Sequence, residues 1–162
     1  MPEPPGNHED NAMIRAFQRE DLHAVLQIWL DTNIRAHHFI PPKYWADHYQ
    51  LVSELLPLAE LYVCEDDASH KIDGFIGLTG ELIAGIFVRE GARSKGIGKL
   101  LLDCAKSTKM RLQLDVYQKN RRAIRFYERE QFTIESENID KSTGEKVWIM
   151  AWQRRADPAQ SN

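Results

Sequence analysis

Residues 81–99, ELIAGIFVREGARSKGIGK, carry the reading from which the rest of the chain is organised. Glu81 to Val88 is apolar, too short for most helices and followed by glycines, so it reads as a central strand. Arg89, Arg93, Lys95 and Lys99 then crowd a stretch in which only Glu90 opposes them. From Gly98 the apolar positions Leu101, Leu102 and Ala105 recur at helical spacing as far as about Lys109. Leu112, Leu114 and Val116 alternate as a further strand. The order is therefore strand, basic glycine loop, helix, strand. Backbone N–H groups at a helix start have no intrahelical partner and attract anions. Gly96 and Gly98, lacking Cβ atoms, let phosphate oxygens approach that backbone. A phosphate-bearing ligand is expected at this loop.

The flanking sequence supplies the other elements. Met13 to Phe17 alternates as a strand, and Asp21 to Ala36 places Leu22, Val25, Leu26, Trp29 and Leu30 at helical intervals. Pro41 and Pro42 open a second helix carrying Tyr44, Trp45, Tyr49, Val52, Leu55 and Leu56, which Pro57 stops. Leu61–Cys64 and Ile72–Leu78 read as a hairpin across the polar turn 65–70. Downstream, Asn120 is a favourable N-cap for a helix to about Glu130 with Ala123, Ile124, Phe126 and Tyr127 on one side. Strands near Phe132–Glu137 and Lys146–Trp152 close the chain. The expectation is one α/β (α+β) domain over 13–152, with polar tails at 1–12 and 153–162, no internal repeat and no low-complexity segment.

Composition narrows the function classes. The 162 residues are 43% hydrophobic and 28% charged, as in ordinary globular domains. A formal charge of -3 argues against bulk nucleic acid as the main partner. No apolar run approaches the roughly 20 residues that span a bilayer, and the polar start lacks a signal-peptide core, so a cytoplasmic location is expected. Cys64 and Cys104 fit no metal-ligand spacing, and Cys104 reads as a small buried hydrophobe; no metal site is expected.

The two common phosphate loops make demands this one does not meet. Gly91 and Gly96 have the outer spacing of a P-loop, yet Ile97 and Gly98 stand where Lys and Ser/Thr are needed. The dinucleotide fingerprint needs Gly or Ala at position 101, which is Leu101. With those removed, R-x-x-G-x-G at Arg93–Gly98 after an apolar strand resembles motif A of the GNAT N-acetyltransferases. N-x-x-A-x-x-F-Y at Asn120–Tyr127, after the Leu114–Val116 strand, resembles that family's second block. Ile14-Arg15 followed by Asp21-Leu22 resembles its opening strand and helix, so the likeness spans roughly 13–152.

The resemblance implies a mixed, mostly antiparallel central sheet flanked by helices and splayed beside the Glu81–Val88 strand, with acetyl-CoA as co-substrate. It implies donor contacts from Ile86, Phe87 and Val88 through their main chains, from Arg93, Ser94, Lys95, Gly96, Ile97, Gly98 and Lys99 in the loop, and from Asn120, Ala123 and Phe126. It also implies Tyr127 as general acid, a phenol reasonably matched to a leaving thiolate.

Direct attack requires a neutral amine, and an alkyl ammonium is only about 0.04% neutral at pH 7. A base is therefore sought. Glu81 is one candidate, although alternation turns it away from the face of Leu82, where some relatives carry their base. His38 is another, in the connection between the first two helices. Trp29, His37 and Trp45 are candidates for an acceptor groove, against the competing reading of the tryptophans as core. The acceptor stays open among a protein lysine, small amines, amino acids, protein N-termini and aminoacyl-tRNA, and the assembly between monomer and homodimer. A module binding acyl-CoA without turnover, or another nucleotide phosphate, is the rival class.

Overall fold

The computed structural model describes residues 12–93 and 95–155. Seven strands form one sheet in the order β1-β2-β3-β4-β5-β7-β6. The strands are β1 (Ala12–Ala16), β2 (Glu60–Asp66), β3 (Ile72–Thr79), β4 (Leu82–Val88), β5 (Arg111–Tyr117), β6 (Thr133–Ile139) and β7 (Lys146–Gln153). All neighbours are antiparallel except β4 and β5. Helices α1 (Leu22–Ala36), α2 (Pro42–Leu55), α3 (Ile97–Thr108) and α4 (Arg121–Arg129) complete the expected α+β domain. Ala12 and Gln153 belong to strands, which trims both expected tails by one residue; 1–11, 156–162 and Ser94 lie outside the described residues. Among the described residues no helix is long and apolar enough to cross a membrane.

Two cores form, one on each face. Leu78, Ile83, Leu101, Leu102, Leu112 and Leu114 pack with α3 and α4. Val25, Ile28, Trp29, Trp45, Val63 and Phe75 pack with α1 and α2. Alternation on β5 follows from this division. Leu112, Leu114 and Val116 enter the first core, whereas Tyr117 packs against the second. Of the cysteines, Cys64 is the fully buried one, and Cys104 is only half-buried.

The sheet opens between β4 and β5, and a bulge accounts for it. Gly77 pairs with Gly85 but Leu78 pairs with Ile83, so Ala84 is an extra residue on β4. Such a residue bends its strand and reverses the side-chain alternation beyond it. Ile83 and Ile86 consequently both serve the α3 side, while Phe87 stacks on Phe75 across the sheet, with centroids 4.9 Å apart. β4 meets β5 only at Leu82↔Gln113, reinforced by the Gln113 N–H donating to the Glu81 carbonyl at 2.9 Å. Beyond that rung the two edges diverge. Glu81 does not open the strand: it sits with Gly80 (φ 60°) in the two-residue turn joining β3 to β4.

Candidate active site

The opening forms the floor of a cleft of about 470 Å³, walled by the C-terminal end of α1, the start of α3 and one side of α4. Its β4 lining is Ile86, Phe87 and Val88. The Arg89 N–H donates to the Asp73 carbonyl on β3 at 2.9 Å, and the Phe87 carbonyl also faces β3, where a Cβ on Gly74 would meet it at 2.7 Å. By alternation, the main-chain groups of Ile86 and Val88 face the other way, into the cleft without a strand partner. This is a hydrogen-bonding edge open to a ligand.

At one end lies the glycine loop. Gly96 caps α3 in the left-handed region (φ 76°), where a side chain is strained, so the backbone itself accounts for this glycine. Gly98 has no such constraint. A Cβ there would meet the Phe126 ring at 3.4 Å, an ordinary contact, so the protein alone does not require glycine at this position. Arg93, Gly96, Ile97, Gly98 and Lys99 all line the cleft. Lys99 also reaches Glu130 at 3.2 Å and Asp103 at 3.4 Å. Lys95 is exposed and outside the lining. Arg89 braces the loop from below, its Nε donating to the buried Asp73 at 2.6 Å, rather than facing the cleft.

Sequence reading passed over cations from the helices: Arg35 on α1 and Arg122 and Arg129 on α4 line the same cleft. Arg35 is ion-paired to Glu90. Burial, with Arg122 and Arg35 as like-charged neighbours, lowers the Arg93 guanidinium pKa from its usual value. Folding alone gains nothing from gathering like charges, whereas a bound anion relieves their repulsion. Arg122 had a local signal, the basic run Arg121-Arg122 directly after the cap. Arg35 had none, because its place depends on how α1 crosses the sheet.

Tyr127, also in the lining, is 8% exposed and its ring is held by Phe126 and Phe132 at 5.2 and 5.5 Å. Burial raises its phenol pKa well above 10, so it stays protonated at neutral pH. Asn120 caps α4, its Oδ1 accepting from the Ala123 N–H at 3.2 Å. Its Nδ2 lies 3.2 Å from Nε2 of His37, which lines the cleft, as do Ala123 and Phe126. His37 packs against Tyr117, Trp45 and Phe39, and burial lowers its pKa to about 4.

The remaining candidates stand apart from the cleft. His38 is exposed beyond the end of α1 and touches Phe39. Glu81 is at the far end of β4, where its carboxylate is exposed. Trp29 and Trp45 are buried at 8% and 7% exposure and meet edge to face at 5.9 Å; they hold α1 to α2 instead of lining a groove.

The sequence profile described as an acetyltransferase (GNAT) domain matches residues 57–134. Peptidyl-lysine N-acetyltransferase YiaC of Escherichia coli K12 is 38% identical over 142 residues, covering 86% of this chain and 96% of YiaC. The chain belongs to the GNAT acetyltransferase family. The solution structure of apo-form YjaB from Escherichia coli superposes on this GNAT chain with a TM-score of 0.77 at 25% identity, covering 86% of this chain and 96% of that one. PaiA N-acetyltransferase from Thermoplasma acidophilum, solved in complex with coenzyme A, has the same fold, with a TM-score of 0.73 at 19% identity over 88% of this chain and 99% of that one.

Proposed function

We propose that this GNAT chain transfers the acetyl group of acetyl-CoA to the side-chain amine of a protein lysine. The observation that carries the donor is the unpartnered β4 edge running from the rung at Leu82 to a cationic helix start. The residues fit coenzyme A. Left-handed Gly96 and sterically open Gly98 expose α3 amides to a diphosphate, with Arg93 and Lys99 at their side. Main-chain groups of Ile86 and Val88 would hold an amide-rich arm and orient the thioester, which supplies an activated acetyl group. Phe87 contributes through its ring, which fixes β4 against Phe75.

Tyr127 is the general acid: its phenol retains its proton at neutral pH and gives it to the departing sulfur. Asn120 holds α4, and therefore Tyr127, in place through its cap. The lysine acceptor rests on the likeness to YiaC, named a peptidyl-lysine N-acetyltransferase.

The test is thiol release from acetyl-CoA against lysine peptides, polyamines and amino acids, with Tyr127→Phe as control. Wild type should acetylate a lysine peptide. Tyr127→Phe should lose turnover by about 100-fold while its coenzyme A affinity stays within about twofold. Preference for a polyamine or free amino acid would reject the lysine reading, and coenzyme A binding with no turnover on any amine would reject transfer.

A further inference from the structure

The base that frees the acceptor amine is the missing part of this chemistry. His37 lines the cleft, but burial disfavours its protonated form and its Nε2 already faces the Asn120 amide. Glu81 and His38 lie away from the opening.

β5 offers another group. Its core-facing residues Leu112, Leu114 and Val116 share the α3 and α4 side with Tyr127. Asp115, between them, faces the opposite side with Tyr117. Continuing the parallel register from Leu82↔Gln113 by two residues brings Asp115 opposite Ala84, where β4 bulges away. Asp115 is thus the first outward-facing β5 side chain beside the open edge; it is not part of the lining that holds Tyr127 and differs from Glu81 and His38 in flanking the divergent stretch of the two strands. It is exposed and, among the described residues, makes no hydrogen bond or ion pair.

Other carboxylates on this side are engaged. Asp140 accepts from the Tyr117 hydroxyl at 2.6 Å and from the Ser142 hydroxyl at 2.7 Å, and Glu135 binds Arg111 at 2.7 Å. Partial desolvation and the nearby Asp140 charge raise the pKa of Asp115, which favours its taking up a cation or a proton.

The approach is suited to a long aliphatic cation. Leu82, 42% exposed, lies on the same face of the sheet beside Gln113. On the same side Tyr44, at the start of α2, reaches Ser142 in the β6–β7 turn through its hydroxyl at 2.7 Å. An exposed apolar side chain beside a free carboxylate suits the aliphatic stem and charged head of a lysine.

We infer that Asp115 receives the ammonium of the acceptor lysine and takes its proton, across the sheet from Tyr127. The inference rests on the lysine reading above. One proton passes from nitrogen to the Asp115 carboxylate and on to solvent. The nitrogen lone pair then forms the N–C bond as the C–S bond breaks with its electrons on sulfur. Tyr127 protonates the sulfur, and the second proton released by nitrogen restores the phenol through solvent. Base and acid thus flank the opening, so the amine enters on the face opposite to Tyr127.

Asp115→Asn and Asp115→Glu decide the matter, read by kinetics with a lysine peptide, coenzyme A affinity, peptide affinity for the coenzyme A complex and thermal melting. The Asn variant should lower kcat/KM by about 100-fold or more, and bind the peptide at least about fivefold more weakly. Its coenzyme A affinity and melting temperature should stay at the wild-type level, because the carboxylate supports no other group. The Glu variant should recover at least about a tenth of the activity. An Asn variant keeping a third or more of wild-type kcat/KM overturns the inference and leaves the lysine reading intact. Wild type inert toward lysine peptides but active on another amine removes the lysine reading, and the same pair of variants assayed on that amine then supports or overturns the role of Asp115.

Discussion

At His37 a cap, a ring and a cleft meet. The Asn120 amide gives its oxygen to the Ala123 N–H, so its NH₂ points at the imidazole and donates to Nε2. The ring is therefore neutral, with its proton on Nδ1. Its folded pKa of about 4 lies below the ordinary value of 6.5. The stability this provides is fully present above pH 6.5 and is lost as pH falls toward 4, because the unfolded chain binds the proton first. The loss amounts to roughly 3 kcal/mol across that window. Melting temperatures recorded from pH 7.5 to 4.5 should fall for wild type and stay nearly level for His37→Gln. Glu60, whose pKa is lowered from 4.5 by the Tyr62 hydroxyl and Lys109, adds acid loss at the bottom of this range in both proteins, and Asp21 and Asp140, lowered from 3.8, add theirs mostly below it. Adjacent residues separate sharply here: His37, with φ −120° and ψ 60° at the end of α1, turns inward while His38 is exposed. A pair of consecutive histidines carries no pattern that reveals which of them does so.

At the level of elements, the two glycines of the loop are distinguishable by experiment. Gly96→Ala should destabilise the fold by about 1–2 kcal/mol, since it forces a Cβ into the left-handed region. Gly98→Ala should leave the melting temperature nearly unchanged and weaken coenzyme A binding, because the added methyl meets only ordinary contacts from the protein. Calorimetric titration beside thermal melts checks both. The glycines, the Asn120 cap and Tyr127 were legible in sequence because backbone needs and short-range spacing leave local marks. The α1 and α2 helices were legible from periodicity, but periodicity cannot tell a tryptophan that lines a groove from one that joins two helices, and Trp29 and Trp45 are joiners. The bulge at Ala84 left no mark either, since it depends on pairing with β3, and it breaks the simple alternation expected from Glu81 to Val88. Arg35 and Arg122 reach the cleft through packing between distant segments, a relation that no window of sequence contains.

Across the whole molecule, a chain of net charge -3 concentrates Arg35, Arg93, Lys99, Arg122 and Arg129 around one cleft. Attraction of a polyanionic donor should therefore persist despite the overall sign and should fall with ionic strength. Coenzyme A affinity measured between about 20 and 300 mM salt should drop severalfold, and Arg122→Gln should flatten that dependence without lowering the melting temperature of the free protein. The single rung between β4 and β5 has a mechanical meaning as well. It divides the sheet into a four-strand leaf and a three-strand leaf bound at one stitch, with the remaining seam left for a guest to close. A donor lying along that seam, as proposed above, would take a strand's place on the free edge of β4 and become a temporary member of the scaffold. On that proposal each turnover would begin by extending the enzyme's own architecture and end by unpicking it.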